Sequence, residues 1–210
     1  MRQVAVARLS LHDELANVVR GGATVVILVW IYLAATLGRT DARRALLPYQ
    51  QLVANRPATD QRIFRELQEG LLEAVAIRST SGAWPAPETL AADGIPPFAP
   101  DPTAKGGTYR WSVVRAGNTI HYLGVPESAS SPAWLLAIQE PEPGVPPDQA
   151  FEDEEHLKML DGTMLHIATW LHAGGPAVAV RVAPAPQIEG WTQIYAVGPG
   201  AGATAVIMPR

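Results

Sequence analysis

The uncharged run "GGATVVILVWIYLAATLG", Gly21 to Gly38, restricts this chain more than any other part of it. As a helix it is about 27 Å long at about 1.5 Å per residue, close to the hydrocarbon thickness of a bilayer. Arg20 and Arg39 bracket it. Every face of such a helix is apolar, which disfavours burial in a soluble core. A secretory leader would have a shorter apolar stretch and a small-x-small cleavage site, and "LAATLGRT" is a poor one. The sequence therefore predicts an uncleaved transmembrane helix over 21–38, in contact with the lipid bilayer, preceded by a tail at 1–20. Arg2, Arg8 and Arg20 before the span nearly balance Arg39, Arg43 and Arg44 after it. The positive-inside rule thus leaves orientation open. The Pro-rich, cysteine-free C-terminal part places the tail in the cytoplasm and the larger part in the periplasm of a bacterial inner membrane.

Composition narrows the chemistry. The absence of cysteine excludes disulfides, thiolate zinc sites, iron–sulfur clusters and a cysteine nucleophile. A formal net charge of -4, with no basic stripe, gives no footprint for nucleic acid.

Beyond the span, residues 39–56 read as a helical stalk continuing the membrane helix, with Pro48 as a kink. Residues 57–210 read as an α+β domain. "TDQRIFRELQEGLLEAVAI" starts at a Thr59 or Asp60 cap and puts Ile63, Phe64, Leu67, Leu71 and Val75 on one helical side. Gly70 costs that helix about 1 kcal/mol relative to alanine. The proline-rich segment 79–107 should lie on the domain surface, pinned by Trp84, Leu90, Ile95 and Phe98. "TYRWSVV" and "TIHYLGV" flank the turn "RAGN" and predict a hairpin, and the apolar "AWLLAIQ" predicts a central strand.

In "EEHLKMLDGTMLHIATWLHAGG", Leu157, Leu160, Met164, Ile167 and Leu171 step by threes and fours, which predicts a second amphipathic helix. The acids Glu152 to Glu155 would form its solvated first turn. A rival reading breaks at the Asp-Gly pair and makes "TMLHIATWL" a strand; the helical beat outweighs it. "AVAVRVA", "WTQIYAV" and "TAVIMP" then predict three more strands. The expected fold is thus helix then three strands, twice over, with possible halves at 57–140 and 147–210 and about six mainly antiparallel strands.

No catalytic motif stands out, and the chain reads as a non-enzyme. "GPGAG" at 198–202 precedes a strand and reads as a turn, and "SASSP" at 128–132 lacks a nucleophile elbow. Trp111, Trp134 and Trp191 read as packing residues in strands. The candidate metal ligands are His121, His156, His166 and His172, because imidazole with carboxylate can make a zinc shell without thiolates. Convergence is the difficulty. On a helix His156, His166 and His172 point about 120° apart. On a strand His166 and His172 share a face but stand about 20 Å apart. A site then needs partners elsewhere; the alternative is histidines bonded only to neighbours or water.

The span together with "DGIPPFAP", "YRWSVV…HYLG…WLLAI" and "EEHLKMLDGTMLHIATWLH" resembles an uncharacterised family of small single-span proteobacterial envelope proteins found among metal-uptake components. The resemblance covers most of the chain and implies an accessory role in metal uptake, with zinc as the metal and a membrane or periplasmic protein as partner. The layout is also similar to single-span assembly components of secretion and pilus machines, which implies a scaffold with no ligand.

Overall fold

The computed structural model describes residues 19–30, 46–100, 108–142, 144, 154–175 and 185–197. The chain divides into two compact units, Met1–Arg43 and Arg44–Arg210.

In the first unit a helix, α1, runs through residues 19–30. Its apolar side chains are exposed, Trp30 at 72% and Val26 at 62%. Among the described residues no helix is long and apolar enough to cross a membrane. The rest of the expected span, 31–38, lies outside the described residues.

The second unit is α+β. Its elements are β1 (Gln50–Leu52), α2 (Ala58–Ser81), α3 (Pro87–Ala92), β2 (Tyr109–Ala116), β3 (Thr119–Pro126), β4 (Ala133–Gln139), β5 (His156–Lys158), β6 (Met164–His172) and β7 (Thr192–Tyr195), with short 3-10 turns at Val53–Asn55 and Pro186–Glu189. The strands form one mixed sheet in the order β1-β7-β6-β4-β3-β2, with β5 also paired to β6. Among the described residues only the β1–β7 pairing is parallel.

Helix α2 covers one sheet face. Ile63, Phe64, Leu67 and Leu71 are buried as the periodicity predicts; Ala74 completes the stripe, and the predicted Val75 is only partly buried beside it. They meet Ile120 and Tyr122 of β3, Trp134, Leu136 and Ile138 of β4, and Leu165, Ile167 and Leu171 of β6. Each fully buried side chain of this size contributes about 1.5–3 kcal/mol. The helix begins before the predicted cap, at an N-cap Pro57. Asp60 is instead buried and held by Arg56 through Nε at 3.0 Å and Nη2 at 2.8 Å. The segment after α2 lies against the domain as expected: Leu90 and Phe98 are buried, and Trp84 and Ile95 pack on the core.

The hairpin β2–β3 and the central β4 form as predicted, with Gly117 at φ 63° in the turn. Four expectations are corrected. The described part of the stalk, 46–56, is not helical, because Gln50 to Leu52 pair along β7. The predicted helix of 154–174 is a hairpin, β5–turn–β6. Asp161 and Gly162 make the turn: Gly162 has φ 87°, and the Asp161 carboxylate accepts the Thr163 N–H at 2.9 Å. That removes the second repeat of helix then three strands, and the halves 57–140 and 147–210 do not separate, since β4 pairs with β6 along its length. Nor do the acids that can be seen, Glu154 and Glu155, make a solvated helix start. Glu154 accepts the Ala196 and Val197 N–H groups, and Glu155 accepts Tyr195 Oη at 2.6 Å and Gln193 Nε2 at 3.2 Å. The strands predicted at 177–183 and 204–209, the turn at 198–202, and Glu152 and Asp153 lie outside the described residues.

Glu140, just past β4, joins four parts of the domain. It accepts Trp84 Nε1 at 3.0 Å, Arg78 Nε at 3.2 Å and Arg115 Nη2 at 2.6 Å, while its carbonyl accepts Asn118 Nδ2 at 2.7 Å. Burial alone would raise its pKa, but the hydrogen bonds from Trp84 and Arg78 and the charges of Arg115 and Arg78 outweigh burial and hold it below the ordinary glutamate value. A carboxylate whose folded pKa is depressed stabilises above the unfolded pKa and loses that contribution as pH falls through the folded one. Glu140→Gln is therefore expected to cost about 1–2 kcal/mol at pH 7 and less near pH 3, as pH falls through the depressed folded value. Denaturant melts of both proteins at the two pH values check this; an equal gap at both would refute it.

Candidate functional site

The sheet face opposite α2 carries the histidines. Strand alternation puts His121 of β3 and His166 and His172 of β6 on this face. The registers make rows across it. His156, His166, Gln139 and Thr119 form one, and Ala168, Ala137 and His121 the next. Small side chains in the second row leave room. A cavity of about 460 Å³ opens there, lined by Ala137, Ala168, His121, His166, Gln139 and Trp170, with Asn118 and Thr119 at one end and Pro186 and Gln187 at another.

His156 and His166 are cross-strand partners with ring centroids 5.1 Å apart. The flanking bonds, Ile167 N–H to Glu155 O and Met159 N–H to Thr163 O, make theirs a non-hydrogen-bonded pair, in which side chains approach closest. His121 is 6% exposed. Burial pushes its pKa down, against a backbone hydrogen bond at Val114, so it is neutral at neutral pH. Its Nδ1 is buried without a partner among the described residues.

His172 stands apart at the far end of β6. Its Nδ1 accepts the Gly174 N–H at 2.9 Å, which leaves the proton on Nε2, 3.2 Å from the Glu189 carbonyl. The ring leans on Trp191 at 5.2 Å. Both nitrogens are used, and His172 orders the turn after β6. Thus the structure pairs His156 with His166, brings His121 to the same cavity as His166, and leaves His172 out.

Among the described residues no group of three or more His, Asp or Glu side chains could hold a metal ion. A structural zinc site takes four protein ligands and a catalytic one three. The His156–His166 pair offers two imidazoles, fewer than either kind of site takes. Sequence reasoning missed the alanine floor and the amide-bearing rim. The signal was there: Ala137 and Ala168 are two-residue steps from Gln139 and His166, but only if 164–172 is read as a strand.

A profile for a family of unknown function, DUF6162, matches residues 53–197. The chain belongs to this family. The match starts just after β1 and ends just after β7, so it covers α2 and the sheet that carries the histidines, and it leaves α1 and β1 outside. No curated protein and no solved structure matches the chain.

Proposed function

We propose that this chain is a membrane-anchored accessory protein of the bacterial envelope that hands a transition metal ion, zinc in the first place, to or from an uptake system in the periplasm. The observation that carries the reading is the His156–His166 pair at 5.1 Å on an open strand pairing. Two ligands leave coordination positions free for a donor or acceptor protein, which suits transfer better than storage. The exposed apolar surface of α1 supports the anchor. The reading assigns the protein no catalytic step.

Calorimetric titration of the full chain with zinc at pH 7 tests it. The expected dissociation constant is about 1–100 µM, weakened at least about tenfold by His156→Ala or His166→Ala and unchanged by His172→Ala. Binding is expected to weaken as pH falls, because protons compete with the metal for imidazole. Absence of heat with the wild-type chain would remove direct metal binding.

A second reading, a ligand-free scaffold in an envelope assembly, draws on β2. This strand of 8 residues pairs only with β3 among the described residues, none of which takes its other edge, and an edge of that length suits strand addition. Recovery of a stoichiometric membrane partner with no zinc heat would favour it.

A further inference from the structure

We propose that the end of the domain where the chain enters β1 rests on a zwitterionic phospholipid surface through Leu46, Leu47 and Ile188. This contact rests on the membrane-anchored reading and adds a second place where the chain touches lipid.

Two turns, far apart in sequence, bring these side chains to one end of the sheet. β1 runs parallel to β7 with Gln50 beside Gln193, and the Gln193 N–H donates to the Tyr49 carbonyl. The residues before β1 therefore come in beside the residues before β7. Each turn is fixed by its own bonds. Gln50 N–H donates to the Leu47 carbonyl at 2.8 Å, and Leu47 N–H to Gln50 Oε1 at 3.0 Å. In the 3-10 turn Pro186–Glu189, Ile188 N–H donates to the Ala185 carbonyl at 3.1 Å, and Gly190 leaves the turn at φ 85°. His172, which has no part in the histidine pair, braces this turn through the Glu189 carbonyl. The apolar side chains nevertheless stand in solvent: Ile188 is 82% exposed, Leu47 48% and Leu46 37%. Single exposed leucines are ordinary on a protein surface, but three apolar side chains presented at one end by fixed turns form a patch.

Chain length names the occupant. Seven residues, 39–45, separate the apolar run 21–38 from Leu46. Even fully extended they reach no farther than about 25 Å. With the run in a bilayer, this end of the domain stays within that distance of lipid. So short a tether holds the two at an effective concentration of about millimolar, and an intrinsically weak contact is then filled. Leucine and isoleucine suit the boundary between headgroups and acyl chains. Glu189, beside Ile188, favours zwitterionic over anionic headgroups. Leu160 is exposed as well, but it sits in the β5–β6 turn, about 30 Å away at the other end of β6.

The lack of native cysteine allows one spin label at a time on the full chain, in nanodiscs of palmitoyl-oleoyl phosphatidylcholine. The label is placed through Leu47→Cys, Ile188→Cys, Leu160→Cys or Val26→Cys. Power-saturation EPR then compares its collisions with oxygen and with an aqueous nickel chelate. Labels at 47 and 188 should meet the nickel chelate at least about threefold less than the label at 160. Adding Leu46→Asp and Leu47→Asp should restore nickel access at 188 by at least about threefold. The label at 26, on the exposed apolar surface of α1, reads the anchor itself. If it is shielded while 47 and 188 are as accessible as 160, this proposal alone is overturned. If it is accessible, the anchored reading fails and takes the proposal with it. Shielding at 188 that persists with both aspartates, meaning that protein and not lipid covers the position, overturns the proposal as well.

Discussion

Gly70→Leu should lower the stability of the domain by more than about 3 kcal/mol, and Gly70→Ala by about 1–3 kcal/mol. Helix propensity argues the other way: replacing a glycine inside α2 by alanine should gain about 1 kcal/mol. Packing decides the sign. A Cβ at Gly70 would lie 2.7 Å from Phe98 Cε2 and 2.9 Å from the Pro96 carbonyl oxygen. The phenyl ring can tilt, but the carbonyl belongs to a backbone that is itself packed on the helix. Glycine is therefore what lets the segment after α3 lie directly on α2. Denaturant melts with matched m-values read the effect. An alanine variant as stable as the wild type would show that the approach is looser than described.

Tyr122→Ala should cost about 3–5 kcal/mol, and Tyr122→Phe about 1–3 kcal/mol. The side chain is 0% exposed and sits between the sheet and the α3 segment. Its hydroxyl donates to the Pro85 carbonyl at 2.7 Å, and its ring meets Phe98 edge-on at 5.6 Å. Burial pushes its pKa far up, so the phenol stays a donor at any ordinary pH. Removing only the oxygen orphans the Pro85 carbonyl, while removing the ring opens the core under β3. A phenylalanine variant with wild-type stability would mean that water replaces the hydroxyl without loss.

The first half of the domain was legible because its patterns were unmixed. The stripe of α2 follows one helical period, and the β2–β3 hairpin has a glycine where the turn requires a positive φ. The segment 156–172 misled for a physical reason. Strand β6 carries buried apolar side chains on both faces, Leu165, Ile167 and Leu171 toward α2 and Ala168 and Trp170 on the face that also holds His166 and His172. Apolar residues on both faces blur the period of two, and a helical beat can be laid over them. One of the five points of that beat, Leu160, is 99% exposed at the turn. The site suffered the same error. His156 and His166 are ten positions apart in sequence and become neighbours only across a strand pair, a contact no helix provides. The binding of Glu154 and Glu155 to β7 could not be read at all, since nothing local says which distant strand will present its donors.

The edge strand β1 has a consequence for the order of biosynthesis. Gln50 meets Gln193 across a separation of 143 residues, and its side chain bonds to Gln193 Oε1 and Tyr195 Oη, both at 3.1 Å. While the polypeptide emerges from the ribosome, the segment leading out of the N-terminal unit has no strand to lie against until β7 has been made. Contacts this remote form late, after the loop between them has closed. The sheet's first strand in sequence is thus its last to dock, and during translation Gln50 to Leu52 stay without their strand partner, open to any factor that captures such an edge.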